Sequence, residues 1–413
     1  METHERLVSY SKISTTSSYA TENRPSTECQ WELARLLEKE MKELGVQNVR
    51  LDEKCYLYGE IPATKGYEQA PRIGFIAHID TAPDFNGENV NPRVIENYDG
   101  RDIELCEGKW LKTEQFPHLK KLVGDTLVVT DGTSLLGADD KSGVAVIMTA
   151  AEKLVKSDMP HGKVCLCFNP DEEIGKGAWD FDVDAFGADF AYTLDASAAG
   201  QLIYECFNGS VAWVNIKGFN IHPGTATGRM INAGLIATEF ASMLPENETP
   251  RGTSGYEGFF HLSSISGNTA KATMRYIIRD HDKEKFLARE ALMRSITEKL
   301  NEKYGEGVVE LTIEEQYSNM ADEIKKHFHL IEIAKEAIIE AGLEPQIIPL
   351  RGGTDGAQLT TNKGLPCPDL GEGSFAHHGP YEHASKKQMD QTVQIVLNIV
   401  RRYGQADPSL RRF

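Results

Sequence analysis

The chain is short of cysteine order, of apolar runs and of positive charge. Its seven cysteines (Cys29, Cys55, Cys106, Cys165, Cys167, Cys206 and Cys367) are odd in number, scattered and form no CxxC pair. That argues against a zinc ribbon, a thioredoxin motif or a disulfide framework, and for a reducing compartment. Cys165 and Cys167 alternate within an apolar strand and read as small core residues. No run approaches the roughly 18 apolar residues of a membrane span. The opening Met1-Glu2-Thr3-His4-Glu5-Arg6 lacks the basic and apolar regions of a signal peptide, so a cytoplasmic location is expected. Basic residues number 44 against 62 acidic ones, a formal charge of −18. Nucleic acid and anionic membranes are polyanions and are disfavoured as partners. Neither an internal repeat nor a low-complexity segment is present.

What is there fits a soluble globular protein: 413 residues, 40% hydrophobic and 26% charged. The length suggests about two or three domains. The organising stretch is Gly137-Ala138-Asp139-Asp140-Lys141-Ser142-Gly143, directly before an apolar run from Val144 to Leu154. Acids are favoured at a helix N-terminus, so capping alone accounts for one of them. Two adjacent carboxylates at the mouth of a buried helix repel each other unless a cation neutralises them. Their company points to that cation. Ile73–Ala77 reads as a central strand and ends in His78-Ile79-Asp80; Lys163–Phe168 ends in Asp171-Glu172-Glu173; Phe190–Leu194 ends on Asp195. A strand is also expected at Thr126–Thr130, ahead of Asp139 and Asp140. Four strand-to-loop junctions thus each deliver His, Asp or Glu, and in a parallel sheet such junctions share one edge.

The rest of the chain supplies the frame. A helix is expected over Thr27–Leu44 with a capping box at Thr27 and Gln30, and another over Lys386–Tyr403 with one at Ser385 and Gln388. Between 207 and 321 the pattern changes. Strands at 211–216, 259–265, 272–278 and 308–313 alternate with helices at 230–244 and 283–304. That β-α-β-β-α-β order is the ferredoxin-like split motif. The expected fold is α/β, a mixed, largely parallel sheet with flanking helices formed by 1–206 and 322–413. A ferredoxin-like α+β lid or dimerisation domain, 207–321, is inserted into it.

Zinc-like ions take imidazole nitrogen and carboxylate oxygen at about 2.0–2.2 Å, and a two-metal site needs about five or six donors with one shared bridge. The donors on offer are His78, one of Asp139 and Asp140, Glu173, Asp195 and His378. Glu172 and Glu173 form a pair in which one carboxylate can reach a metal while the other takes a proton from water. Asp80 can fix the tautomer of His78.

His78-x-Asp80, Gly137-Ala138-Asp139-Asp140-Lys141, Asp171-Glu172-Glu173-x-Gly175, Asp195 and His378-x-x-x-Glu382 together resemble the co-catalytic zinc metallopeptidases. That clan includes aminoacylase, carnosinase-like dipeptidases and succinyl-diaminopimelate desuccinylase. Gly255–Phe259, Ile278-Arg279-Asp280 and Arg351–Gln358 extend the likeness over nearly the whole chain, and within the clan it is most similar to the tripeptide aminopeptidases. The resemblance implies two Zn2+ ions, with Co2+ or Mn2+ as alternatives. His78 and Asp195 would ligate one ion, Glu173 and His378 the other, and Asp139 would bridge them. Asp80 would orient and Glu172 would act as general base. It implies that His222, in Ile221-His222-Pro223-Gly224, stabilises an oxyanion, often from the partner subunit of a dimer. Asn232, Arg279 and Arg351 would hold substrate, Arg suiting a terminal carboxylate through its planar fork. Two loops depart from the family pattern. Ala196–Gly200 stands where a glycine-rich run is expected, and His377 and His383 flank a segment where glycines before the ligand and Phe after the Glu are expected.

The expected function is a metal-dependent aminopeptidase acting on short peptides, chiefly tripeptides, with a homodimer formed through the inserted domain. Two other readings stay open: a dipeptidase or N-acyl-amino-acid amidohydrolase of the same clan, and a non-catalytic peptide- or metal-binding protein.

Overall fold

The computed structural model describes residues 1–412. The chain divides into two compact units. The first comprises Met1–Tyr204, Asp322–Ile348 and Thr354–Phe413; the second comprises Glu205–Ala321 and Pro349–Gly353.

The first unit is built on an eight-stranded mixed sheet. Its strands are β1 (Gln47–Leu51), β2 (Leu57–Ile61), β3 (Ile73–His78), β4 (Val164–Asn169), β5 (Phe190–Thr193), β6 (Gln201–Ile203), β7 (Gln346–Ile347) and β8 (Asp369–Leu370). Their spatial order is β1-β2-β4-β3-β5-β8-β6-β7. The four central strands, β4, β3, β5 and β8, run parallel. Every residue of β3, β4 and β5 is buried, which is why these strands read as continuous apolar runs rather than alternating ones. Around the sheet lie α1 (Gln30–Leu44), α2 (Ala138–Lys156), α3 (His329–Glu340) and α4 (Lys386–Gly404). Helix α2 packs on β3 and is itself covered by α4, so nearly all of its length is buried.

Three expectations are corrected. The strand before Asp139, Leu127–Val129, belongs to a separate small sheet with Arg93–Ile95, Ser374–Phe375 and His383–Ser385. Only His78, Glu172 with Glu173, and Asp195 follow parallel strands of the main sheet; the acid pair 139–140 is carried by α2. The capping box at Thr27 does not form. The Thr27 hydroxyl donates to the Thr16 carbonyl, and α1 starts at Gln30 with no side-chain cap. Ser385 does cap α4 through the Gln388 amide, but the Gln388 side chain accepts from the Ala199 amide instead of reaching back.

The second unit is an antiparallel sheet in the order 259–267, 271–280, 208–217, 309–317. Helices Ala233–Ser242 and Lys283–Tyr304 pack on it around Phe240, Phe286, Met293, Met274 and Ile278. This order and connectivity is the ferredoxin-like arrangement. On the helix expected over 230–244, which begins at Ala233, Ile236 and Phe240 face the core while Leu235 is 66% exposed. Residues 349–353, expected with the first unit, belong to the second. The Arg351 guanidinium there donates to the carbonyls of Gly255 and Glu257 and to the Thr253 hydroxyl.

Candidate dinuclear metal centre

The centre is assembled in the first unit at the carboxyl ends of β3, β4 and β5 and the start of α2. His78 is the last residue of β3 and is 2% exposed. Its Nδ1 lies 3.0 Å from the Asp80 carbonyl and 3.3 Å from the Asp80 carboxylate. Asp80 in turn accepts the amides of Glu172 at 3.0 Å and Glu173 at 3.2 Å. One buried carboxylate therefore ties the end of β3 to the loop after β4 and sets the His78 ring. Asp171, the first acid of that loop, works elsewhere. It accepts from the Ser26 amide and hydroxyl and from the Gln30 side chain, at 2.8, 2.5 and 2.8 Å.

The two acids at 139 and 140 part company. Both have non-helical backbone angles, so the regular helix begins behind them. Asp140 accepts the Gly143 amide at 3.1 Å and the His78 amide at 3.2 Å; it caps the helix and anchors the strand end. Gly143 has to be glycine, since a Cβ there would sit 2.3 Å from Asp140 Oδ1 and 2.4 Å from the Leu194 carbonyl. Asp139 instead faces imidazoles. Its Oδ1 is 3.1 Å from His78 Nε2, and its Oδ2 is 3.3 Å from His378 Nε2 and 3.4 Å from His377 Nδ1. Asp195 Oδ1 reaches His78 Nε2 at 3.7 Å, and Glu173 Oε2 reaches His378 Nε2 at 2.9 Å.

Ligand atoms of His78, Asp139 and Glu173 lie within 4.8 Å of one another, and so do those of His78, Asp140 and Asp195. Between the two acids, Asp139 is the better donor, because both Asp140 oxygens already hold backbone N–H groups. Glu382 completes the frame. It is buried and accepts from the amides of Leu136, Gly137 and Asp139, at 2.7, 2.7 and 2.9 Å. Composition gave no role to Glu382; its spacing after His378 was the one available signal.

The electrostatics call for cations. Burial and the Asp139 charge push Glu173 up to about 8. Burial, Asp195 and Asp355 hold Glu172 well above the usual carboxyl range, and burial with Asp139 raises Asp195. Burial alone would raise Asp139 too, but His377, His378 and His78 hold it well below its usual value. Glu173 Oε1 is buried with no hydrogen-bond partner among the described residues. Two ligands at about 2.0–2.2 Å on one ion lie about 3–3.5 Å apart, which is the separation most of these nitrogen–oxygen pairs show. The donor set of His, Asp and Glu therefore fits divalent ions, and Asp139 stands between its two halves, with one oxygen toward His78 and the other toward His378.

The four residues expected on the substrate side lie in the second unit, and each has local partners. His222 is exposed and its Nδ1 accepts the Gly224 amide. Asn232 caps its helix by accepting the Leu235 amide. Arg279 donates to the Ser210 and Ile278 carbonyls and to Gln316, with its guanidinium over the Tyr317 ring. Arg351 holds the 253–257 loop and lies over the Phe207 and Phe259 rings.

The family model described as peptidase family M20/M25/M40 matches residues 132–402. The chain belongs to this family. It is 49% identical over 403 residues to the peptidase T of Clostridium perfringens, covering 97% of this chain and 99% of that protein. Its fold is similar to the aminopeptidase PepT of Bacillus cereus, with a TM-score of 0.77 at 22% identity, covering 97% and 98% of the two chains. It is also similar to the Bacillus subtilis YXEP protein, described as a dinuclear metal binding peptidase from the M20 family. There the TM-score is 0.66 at 16% identity, covering 98% and 99%.

Glu382→Ala removes the acceptor of three amides around Asp139. Partners of this kind cost about 10–100-fold in metal affinity when lost. Metal titration followed by calorimetry is expected to show a weakening in that range; wild-type affinity would contradict the clamp.

Proposed function

We propose that the chain is an aminopeptidase that uses two metal ions, zinc by donor chemistry, to remove the N-terminal residue from short peptides, with tripeptides as the preferred length. One observation carries the reading: His78 and His378 meet Asp139, Asp195 and Glu173 meet those two histidines, and beside these five donors stands a carboxylate, Glu172, that takes no hydrogen bond among the described residues. A site built only to hold metal has no use for that spare acid. The 49% identity to a peptidase T supports the peptide substrate.

Bound at Asp139, a pair of divalent ions would polarise the scissile carbonyl, acidify a water and lower the raised carboxyl values around them. His78, Asp195 and Asp139 would hold one ion, and Glu173, His378 and Asp139 the other. Asp80 keeps the His78 ring turned so that Nε2 points into the site. Glu172, set in place through its own amide on Asp80, takes the proton from the attacking water and delivers it to the leaving amine. His222, Asn232, Arg279 and Arg351 are proposed on the substrate side, the two guanidinium forks suiting a peptide carboxylate. A homodimer through the second unit belongs to the same proposal. Its edge strand 259–267 leaves backbone groups unpaired and Ile265 51% exposed, which supports it. The seven free cysteines support a cytoplasmic setting.

A panel of tripeptides, dipeptides and N-acyl amino acids tests the substrate. Tripeptides are expected to turn over fastest, and no tripeptide cleavage would sink the reading. Glu172→Gln is expected to retain both metals by elemental analysis and lose about 10²–10⁴-fold in kcat, the usual worth of a general base; retained activity would remove Glu172 from that role. Sedimentation should give twice the 45.8 kDa chain mass, and a monomer would end the dimer proposal.

A further inference from the structure

One histidine of the centre has no part in the five-donor set. His377 stands beside His378 but presents its other nitrogen to the site. Its Nδ1 is 3.4 Å from Asp139 Oδ2, the same oxygen that His378 Nε2 meets at 3.3 Å. Its Nε2 is 2.7 Å from the Ser374 hydroxyl, and Ser374 donates to the buried carboxylate of Glu372. An ionised carboxylate only accepts, so with Glu372 charged, as beside a bound cation, the Ser374 proton goes to Glu372. The Ser374 oxygen is then left to accept from His377 Nε2–H. That fixes the tautomer: in neutral His377, Nδ1 carries a lone pair and points it at Asp139.

Two lone-pair atoms facing each other at this distance repel, unless a cation or a shared proton lies between them. The same build holds for His78. There Asp80 takes Nδ1, and Nε2 points at Asp139. A hydrogen-bonded outer nitrogen behind a ligating imidazole is the recurring second layer of metal sites. His377 is also the better sheltered of the two neighbours, with a side chain 24% exposed against 45% for His378. Glu372 is anchored in its turn. It accepts the amides of Ala196 and Ser197, in the loop just after Asp195, at 3.0 and 2.9 Å.

We propose that His377 Nδ1 is a sixth protein donor of the centre, on the ion held by Asp139, Glu173 and His378, with Ser374 and Glu372 as its positioning residues. The proposal rests on the dinuclear reading of the site. It adds an asymmetry: the ion between Glu173 and the two histidines would have one protein ligand more than its partner, and one position fewer for water or substrate.

The test is Co2+ titration of the metal-free full-length protein, read by its visible absorption spectrum and by calorimetry. Wild type is expected to bind two ions. His377→Ala and the volume-conserving His377→Phe are expected to bind the first ion as wild type does. They should weaken the second by about 100-fold or more and raise the intensity of its d–d bands as the coordination number falls. Ser374→Ala, which only frees the ring, is expected to weaken that ion by about 10-fold, towards the lower end for an outer partner. If both His377 variants keep wild-type affinity and spectrum for the second ion, His377 is an imidazolium paired with Asp139 and the proposal falls, while the dinuclear reading stands. If wild type itself binds fewer than two ions, the dinuclear reading fails and takes the proposal with it.

Discussion

The constraint on which this structure depends is the crowding of negative charge at one end of a buried sheet. Asp139, Asp140, Glu172, Glu173, Asp195, Glu372 and Glu382 lie close together, most of them shielded from water. Coulomb repulsion and lost hydration both oppose ionising such a set. The chain meets part of the cost with its own groups. Backbone N–H donors satisfy Asp140, Glu372 and Glu382. Imidazoles stand against Asp139 and Glu173. Among the described residues no Lys or Arg pairs with Glu172, Glu173 or Asp195, a deficit that a bound cation would meet.

The acids divide by partner. Those bonded to amides hold the backbone; those facing imidazoles are the ones left open to a cation. The division runs through adjacent residues, separating Asp139 from Asp140 and Asp171 from its two neighbours. Neither propensity nor charge distinguishes the members of such a pair, because the difference lies in which atoms the fold brings to each carboxylate.

That is also where the sequence stopped being legible. The buried strands, the acid-bearing loops at their ends and the ferredoxin-like order of the second unit follow from apolar runs, alternation and spacing. The resemblance to a metallopeptidase clan, which the family match bears out, rests on motifs that survive as linear strings. The sheet to which Leu127–Val129 belongs is not written in its own residues, since an isolated apolar triplet pairs wherever its neighbours place it. Thr27 looked like a cap because its spacing was right, but its hydroxyl found a carbonyl from residue 16 first. The membership of 349–353 in the second unit depends on contacts made by Arg351 about a hundred residues away. The role of Glu382 was hidden, though its place in the motif was not, and Glu372 went unseen, because amides hold both carboxylates and amides carry no sequence signal.

Glu382 bears on how the molecule comes into being. It grips residues 136–139 from a point 243 positions further along the chain than Asp139. Between the two lies the whole second unit, which can acquire its own core as soon as it is made. During synthesis, then, His78, Asp139, Glu173 and Asp195 leave the ribosome well before the histidine pair and the clamp. Until residue 382 is out, the amides of Leu136, Gly137 and Asp139 lack the carboxylate that braces them. A cation held by this set would meet its complete frame only once residue 382 has been made.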